Sequence, residues 1–201
     1  MSPAPRILVI RRRYLGDIVL LGSVFRNLRL HWPAAHLALL VEPGCAALTP
    51  LHPDVDATLV LPRSLLAWPG FLRRLRRERF THVLDFDNTD KTALLTRWTG
   101  ALLRLTYRRE LVKHRHPRCY THAVPVTNAF YDSHHITETY LALLAPLGVP
   151  LATREIRLVP SAADLAAVAP LSAGPGRRIL VHPGSRDRKS TRLNSSHANI
   201  S

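Results

Sequence analysis

The stretch from Arg6 to Arg29 limits what this chain can fold into more than any other. Ile7, Leu8, Val9 and Ile10 form an unbroken apolar run flanked by arginine, which suits a strand covered on both faces. Ile18, Leu21, Phe25 and Leu28 then recur at helical spacing. Between them lies a basic turn, Arg11, Arg12, Arg13, Tyr14 and Leu15, which Gly16 is expected to close, with the helix predicted to open at Asp17. Strand, loop and helix in this order begin a parallel α/β sheet. In such sheets the loop at the carboxyl end of a strand meets the free N–H groups of the next helix, and ligands gather there.

Two versions of that loop are excluded. The turn has neither the G-x-G-x-x-G dinucleotide fingerprint nor the G-x-x-x-x-G-K-[ST] phosphate loop. Asp17 has two readings from its position. As a helix cap it accepts a backbone N–H bond and complements the dipole. As a general base it takes a proton from a hydroxyl held at the strand's end. The roles compete, because a carboxylate stabilised by a helix N-terminus is a weaker base.

The alternation continues down the chain. Leu37 to Val41, Thr58 to Leu61 and Thr81 to Phe86 read as strands, Ala46 to Thr49 as a short helix, and Leu51 to Asp56 as a loop. Asp90 to Trp98 and Leu65 to Arg79 read as helices. The second of these carries Trp68, Phe71, Leu72 and Leu75 on one side and Arg73, Arg74, Arg76 and Arg77 around the rest. Such a basic face either stays in solvent or meets anionic lipid headgroups or a phosphorylated acceptor.

Asp85 and Asp87 form a D-x-D pair, whose spacing on a strand faces both residues one way, but a metal needs further ligands. They read as polar strand-end residues, and no metal is expected. The Arg- and His-rich region from Leu103 to Thr127 reads as a basic loop beside the sheet. His114, His116, Cys119 and His122 within it fit no structural zinc spacing. Ile136 to Leu147 is a predicted helix ended by Gly148, with His134 and His135 leading into it. Glu155 to Val159 is a predicted strand, and Ser161 to Val168 a short helix. Ala173 to Gly176 reads as a linker. Arg178 to His182 with Pro183, Gly184 and Ser185 then restarts the pattern seen at Arg6, as the opening of a second Rossmann-like domain would.

Composition narrows the function. At 46% hydrophobic residues the chain has enough apolar surface for a core. No apolar run approaches the roughly 20 residues that span a bilayer, and no signal-peptide pattern is present, so a cytoplasmic location is expected. Cys45 and Cys119 do not suggest a disulfide framework. The net charge of +14 is compatible with an anionic partner, a membrane surface or neither. Without a recognition motif or an aromatic platform, that partner is not expected to be nucleic acid.

Five segments, in order and spacing, carry a resemblance. They are Ile7 to Ile10 with Leu15, Gly16 and Asp17; His52 to Asp56; Leu84 to Asp87 with Thr92 to Leu95; His135 to Tyr140 with Leu147 and Gly148; and Val181 to Ser185. Together they resemble glycosyltransferase family 9, the ADP-heptose:lipopolysaccharide heptosyltransferases, over about residues 6 to 185. The resemblance implies a GT-B architecture of two Rossmann-like domains. The N-terminal domain, here 1–160, would bind the lipopolysaccharide core/lipid A acceptor. Residues 161–176 would link it to a donor-binding domain begun at 177–186, where Gly184 and Ser185 would lie on the donor side.

In that family's terms Asp17 is the catalytic base of an inverting transfer, and Gly16 lets the backbone approach the substrates. Arg11, Arg12 and Arg13 would stabilise the leaving diphosphate or, equally, hold acceptor phosphates or carboxylates. No cofactor is implied, since ADP-heptose is a substrate. The enzyme would work at the cytoplasmic face of the inner membrane, with peripheral contact through the basic helix. The chain departs from the family after Ser185. Asp187 to Ser201 reads as the in-frame translation of a sequencing adapter, so Lys189 is not taken for a donor-site lysine, and the fragment is expected to lack transferase activity. The rival expectations are a non-catalytic Rossmann-like binding module and, behind it, a basic nucleic-acid-binding protein.

Overall fold

The structure is a computed structural model that describes residues 4–112 and 116–172. The chain divides into two units, one ending at Pro160 and one starting at Ser161.

The first unit is built on a six-stranded sheet of β1 (Arg6–Ile10), β2 (His36–Val41), β3 (Ala57–Val60), β4 (His82–Asp85), β5 (Leu103–Arg109) and β6 (His122–Val126). Every pair is parallel, and the spatial order is β3-β2-β1-β4-β5-β6. This is the Rossmann-like parallel α/β class expected from the alternating pattern. The strand order reverses between β1 and β4, which makes the carboxyl ends of these two strands the switch point where a crevice opens.

Helices α1 (Leu15–Leu20) and α2 (Gly22–His31) follow β1, α3 (Trp68–Arg77) follows β3, and α4 (Asp90–Thr99) follows β4. Two short helices, α5 (Asn128–Ser133) and α6 (Ile136–Leu141), follow β6. Because β1 is central, its side chains alternate between two cores. Ile7 and Val9 pack with Leu21, Phe25, Leu28 and Tyr140, whereas Leu8 and Ile10 pack with Leu75, Phe80 and Leu95. Burial of each such side chain contributes about 1.5–3 kcal/mol. Both faces being covered is why the run reads as continuously apolar. No helix among the described residues is long and apolar enough to cross a membrane.

Several local expectations differ from the structure. The helix after β1 starts at Leu15, not Asp17, and is divided at Leu21. Residues 43–51 form 3-10 turns in place of a short α-helix at Ala46 to Thr49. The region from Leu103 to Thr127 holds β5 and β6 instead of a basic loop. These strands sit toward the sheet's edge, with Arg108 exposed and Arg104 bonded to the Cys119 carbonyl at 2.8 Å, so polar side chains replace the apolar run that marks a central strand.

Glu155 to Val159 joins no sheet. Its segment is instead tied to the helical layer through buried Asn27. The Asn27 amide donates to the Thr153 carbonyl at 2.7 Å, and its oxygen accepts from the backbone N–H groups of Ala152 and Thr153. Val159 N–H donates to the Leu51 carbonyl. Backbone groups satisfied in this way need no strand partner.

The second unit is described only through α7 (Ala162–Ser172). Ser161 and Asp164 cap it reciprocally: Asp164 N–H donates to Ser161 Oγ at 3.1 Å and Ser161 N–H donates to Asp164 Oδ2 at 3.0 Å. The helix runs four residues past the predicted end at Val168. The predicted linker at Ala173 to Gly176, the strand at Arg178 to His182, Gly184, Ser185 and the tail from Asp187 lie outside the described residues.

Candidate functional site

The loop after β1 is laced to its neighbours at the carboxyl edge of the sheet. Arg11 N–H donates to the Leu40 carbonyl, Glu42 N–H to the Arg12 carbonyl, and Phe86 N–H to the Ile10 carbonyl. The loop then turns through Tyr14, whose φ of 66° lies in the left-handed region. A tyrosine held there is strained, as residues at functional turns often are. Tyr14 is also exposed, and it occupies the cap position of α1 without making a side-chain cap bond.

Asp17 therefore sits in the first turn of α1 but does not cap it. Its carboxylate is 22% exposed and bound on both oxygens. Oδ1 accepts from the Tyr140 hydroxyl at 2.9 Å, and Oδ2 pairs with the Arg11 guanidinium. Tyr140 comes from α6, within the predicted Ile136 to Leu147 helix, where its spacing reads as one more apolar core position. Its ring does pack in the core, edge-on to Phe86, while its hydroxyl reaches the site. Burial raises the Tyr140 pKa, so the hydroxyl stays a donor at neutral pH.

Asp87 is the second organiser. Its carboxylate accepts from Arg12 N–H at 3.2 Å and Arg12 Nε at 2.6 Å, and lies 3.4 Å from Arg11 Nη1. Glu42, at the end of β2, takes the other side of Arg12 at 3.2 Å and pairs with Arg13 Nε at 2.9 Å. Burial works against the charge on Arg11, yet the bond to Asp17 and the neighbouring acidic groups hold its pKa above the ordinary value. The three arginines thus face three carboxylates, Asp17, Glu42 and Asp87. The loop is a charge-matched lattice, in which Arg11 and Arg12 are largely buried and Arg13 is the most accessible cation.

The D-x-D pair diverges. Asp85, fully buried, accepts from Tyr120 OH at 2.6 Å and from the Asp87 and Asn88 N–H groups, whereas Asp87 turns to the arginines. Burial pushes the Asp85 carboxyl up to about 6. No three His, Cys, Asp or Glu residues among the described ones are grouped to hold a metal. Of the zinc candidates, His116 pairs with Asp90, Cys119 is buried and His122 bonds Thr121, while His114 lies outside the described residues. Gly16 is exposed within α1, and a Cβ built there meets nothing within 4 Å.

The chemistry available is that of a carboxylate fixed at an open sheet edge, with guanidinium groups around it. Each Asp17 oxygen has a further lone pair for an incoming hydroxyl. Sequence reading brought Asp17 and the arginines to one strand-to-helix junction. It did not find Tyr140, Glu42 or the role of Asp87, because their meeting depends on strand order.

Comparison with known proteins finds the same fold in part of solved glycosyltransferase structures. No family model matches the chain. Over 111 residues it is 27% identical to lipopolysaccharide heptosyltransferase 2 of Escherichia coli (strain K12), covering 53% of this chain and 32% of that protein. A glycosyl transferase family 9 structure from Veillonella parvula DSM 2008 superposes with a TM-score of 0.68 at 16% identity, covering 85% of this chain and 50% of the other. The E. coli ADP-heptose lps heptosyltransferase II gives 0.64 at 20% identity, covering 84% and 50%. The chain spans about half the length of these solved relatives and a third of the sequence relative, and it shares the fold of the part it matches.

Proposed function

We propose that this chain is the acceptor-binding half of an inverting glycosyltransferase of the family 9 heptosyltransferase kind. It would act with a donor-binding half, to which Gly184 and Ser185 would belong. Asp17 carries the reading. It stands at the switch point of a parallel sheet, accessible at the carboxyl edge, in a fold shared with enzymes of that description.

On this reading an acceptor sugar hydroxyl of the lipopolysaccharide core binds at the mouth beside Asp17. Its oxygen attacks the anomeric carbon of ADP-heptose while Asp17 takes its proton. The anomeric C–O bond breaks, ADP leaves with the electron pair, and the configuration inverts. Arg11 holds Asp17 in place by occupying Oδ2, so an anionic acceptor group that draws Arg11 away frees that oxygen for the incoming hydroxyl. Arg13 and Arg12 attract the same group. The acceptor is presented at the cytoplasmic face of the inner membrane, and this half works there.

The test uses a full-length protein that carries this half. Asp17→Asn is expected to lower kcat for heptose transfer by about 10²–10⁴-fold, with acceptor KM little changed and the circular dichroism spectrum intact. Undiminished transfer would remove Asp17 from catalysis. The alternative, a non-catalytic binding module, is favoured by the closed Arg11–Asp17 pair, and the same variant decides between them.

A further inference from the structure

On the sheet face that carries α3 and α4, the two helices leave an open groove of about 730 Å³. Trp68 and Leu72 wall it from α3, Leu94, Leu95 and Trp98 from α4, and the cations are at its borders. Its volume falls in the roughly 300–1,000 Å³ range of ligand sites. The walls are held in place. Trp98 Nε1 donates to the Leu72 carbonyl at 3.0 Å, Arg76 Nη1 donates to the Trp98 carbonyl at 3.2 Å, and Lys91 Nζ lies 4.7 Å above the Trp68 ring. Gly100 ends α4 at φ +71°, a left-handed conformation that favours glycine, and the Arg76 guanidinium lies across it.

The groove runs into a second depression of about 620 Å³ that shares Arg76 and Trp98 and is lined by Arg73, Arg77 and Arg79. Arg73 and Arg77 make no ion pair among the described residues. Glu78, the acid at this end of α3, is engaged by Arg6 at 2.6 Å. Leu65 and Leu66, 84% and 92% exposed, lead directly into Trp68. An apolar trough with indole walls that continues into an arginine-lined bowl matches one kind of molecule: an amphiphile with an anionic head and an aliphatic body. Nucleic acid would use the arginines but leave the trough and the leucines in water.

We propose that the α3–α4 groove docks this protein on an anionic phospholipid bilayer, with acyl-chain carbons against Trp68, Leu94 and Trp98 and lipid phosphates in the bowl of Arg73, Arg76 and Arg77. Arginine supplies paired donors to phosphate, and tryptophan settles at the boundary between headgroups and chains. This deepens the membrane placement proposed above and rests on that part of it alone. Neither donor, acceptor nor sugar transfer enters the test, so failure here leaves the role of Asp17 untouched.

The experiment is co-sedimentation of the whole chain with vesicles of phosphatidylcholine alone, of phosphatidylcholine with phosphatidylglycerol, and of phosphatidylcholine with lipid A. Binding is expected to the phosphatidylglycerol vesicles and not to phosphatidylcholine. Arg73→Gln with Arg77→Gln should weaken it about thirtyfold. Leu94→Asp, at an exposed position that does not threaten folding, should weaken it comparably and abolish quenching of tryptophan fluorescence by brominated lipid chains. Loss on arginine replacement with no effect of Leu94→Asp would overturn the groove in favour of a diffuse basic surface. Binding confined to lipid A vesicles would make the groove an acceptor site, and absence of binding to any vesicle would also sink the proposal.

Discussion

The Tyr140 hydroxyl donates a 2.9 Å hydrogen bond to Asp17 Oδ1, joining residues 123 positions apart in sequence. This bond anchors α6 to the first turn of α1 and sets the direction of the carboxylate. Tyr140→Phe keeps the core ring and removes only the donor. It should cost about 1.5–3 kcal/mol in urea unfolding, as for a hydrogen bond to a charged group. In a full-length protein it should also lower kcat with little change in KM. Equal unfolding midpoints for the two proteins would mean that the bond is absent in solution.

Asp87 holds Arg11 and Arg12 together from the end of β4. Asp87→Ala strands two largely buried guanidinium groups and should destabilise the protein by about 3–5 kcal/mol. Chemical unfolding at neutral pH checks this. A loss under about 1 kcal/mol would show that Glu42 and solvent replace Asp87 without cost.

Burial, only partly offset by hydrogen bonds from Tyr120 and the loop, raises the Asp85 carboxyl from 3.8 to about 6. The folded state therefore binds this proton more tightly than the unfolded chain. Stability from this group is full below pH about 4 and falls as pH rises to about 6, by something on the order of 3 kcal/mol. Asp85→Asn keeps the shape and removes the titration. The stability difference, variant minus wild type, should rise across that window in unfolding experiments, and a flat difference would count against a protonated Asp85.

Gly16→Ala separates helix formation from substrate approach. Alanine is the better helix residue by about 0.5–1 kcal/mol, and a Cβ at this position meets only open space. The variant should melt at a higher temperature. If an acceptor passes close to this backbone, its binding, measured by calorimetry on the full-length protein, should weaken at the same time. Stabilisation with unaltered binding would exclude the close approach.

The sequence by itself determined the parallel α/β class, because a strand covered on both faces must be apolar throughout and an amphipathic helix must repeat its apolar residues every three or four positions. It also placed Asp17 and three arginines at the junction between β1 and the helix after it, since chain neighbours need no fold to be together. β5 and β6 were not legible, because strands near an edge do not need a continuous apolar run. Glu155 to Val159 read as a strand, but what holds it is far back in the chain: Leu51 accepts from Val159 N–H, and the Asn27 side chain bonds Ala152 and Thr153 just before it. Only the tertiary structure decided that Asp17 is oriented by Tyr140, that Asp87 gathers the arginines and that Trp68 and Trp98 share a groove. Each of these meetings is fixed by which strands are neighbours and by the sheet face each helix covers, which pairwise spacing along the chain does not encode.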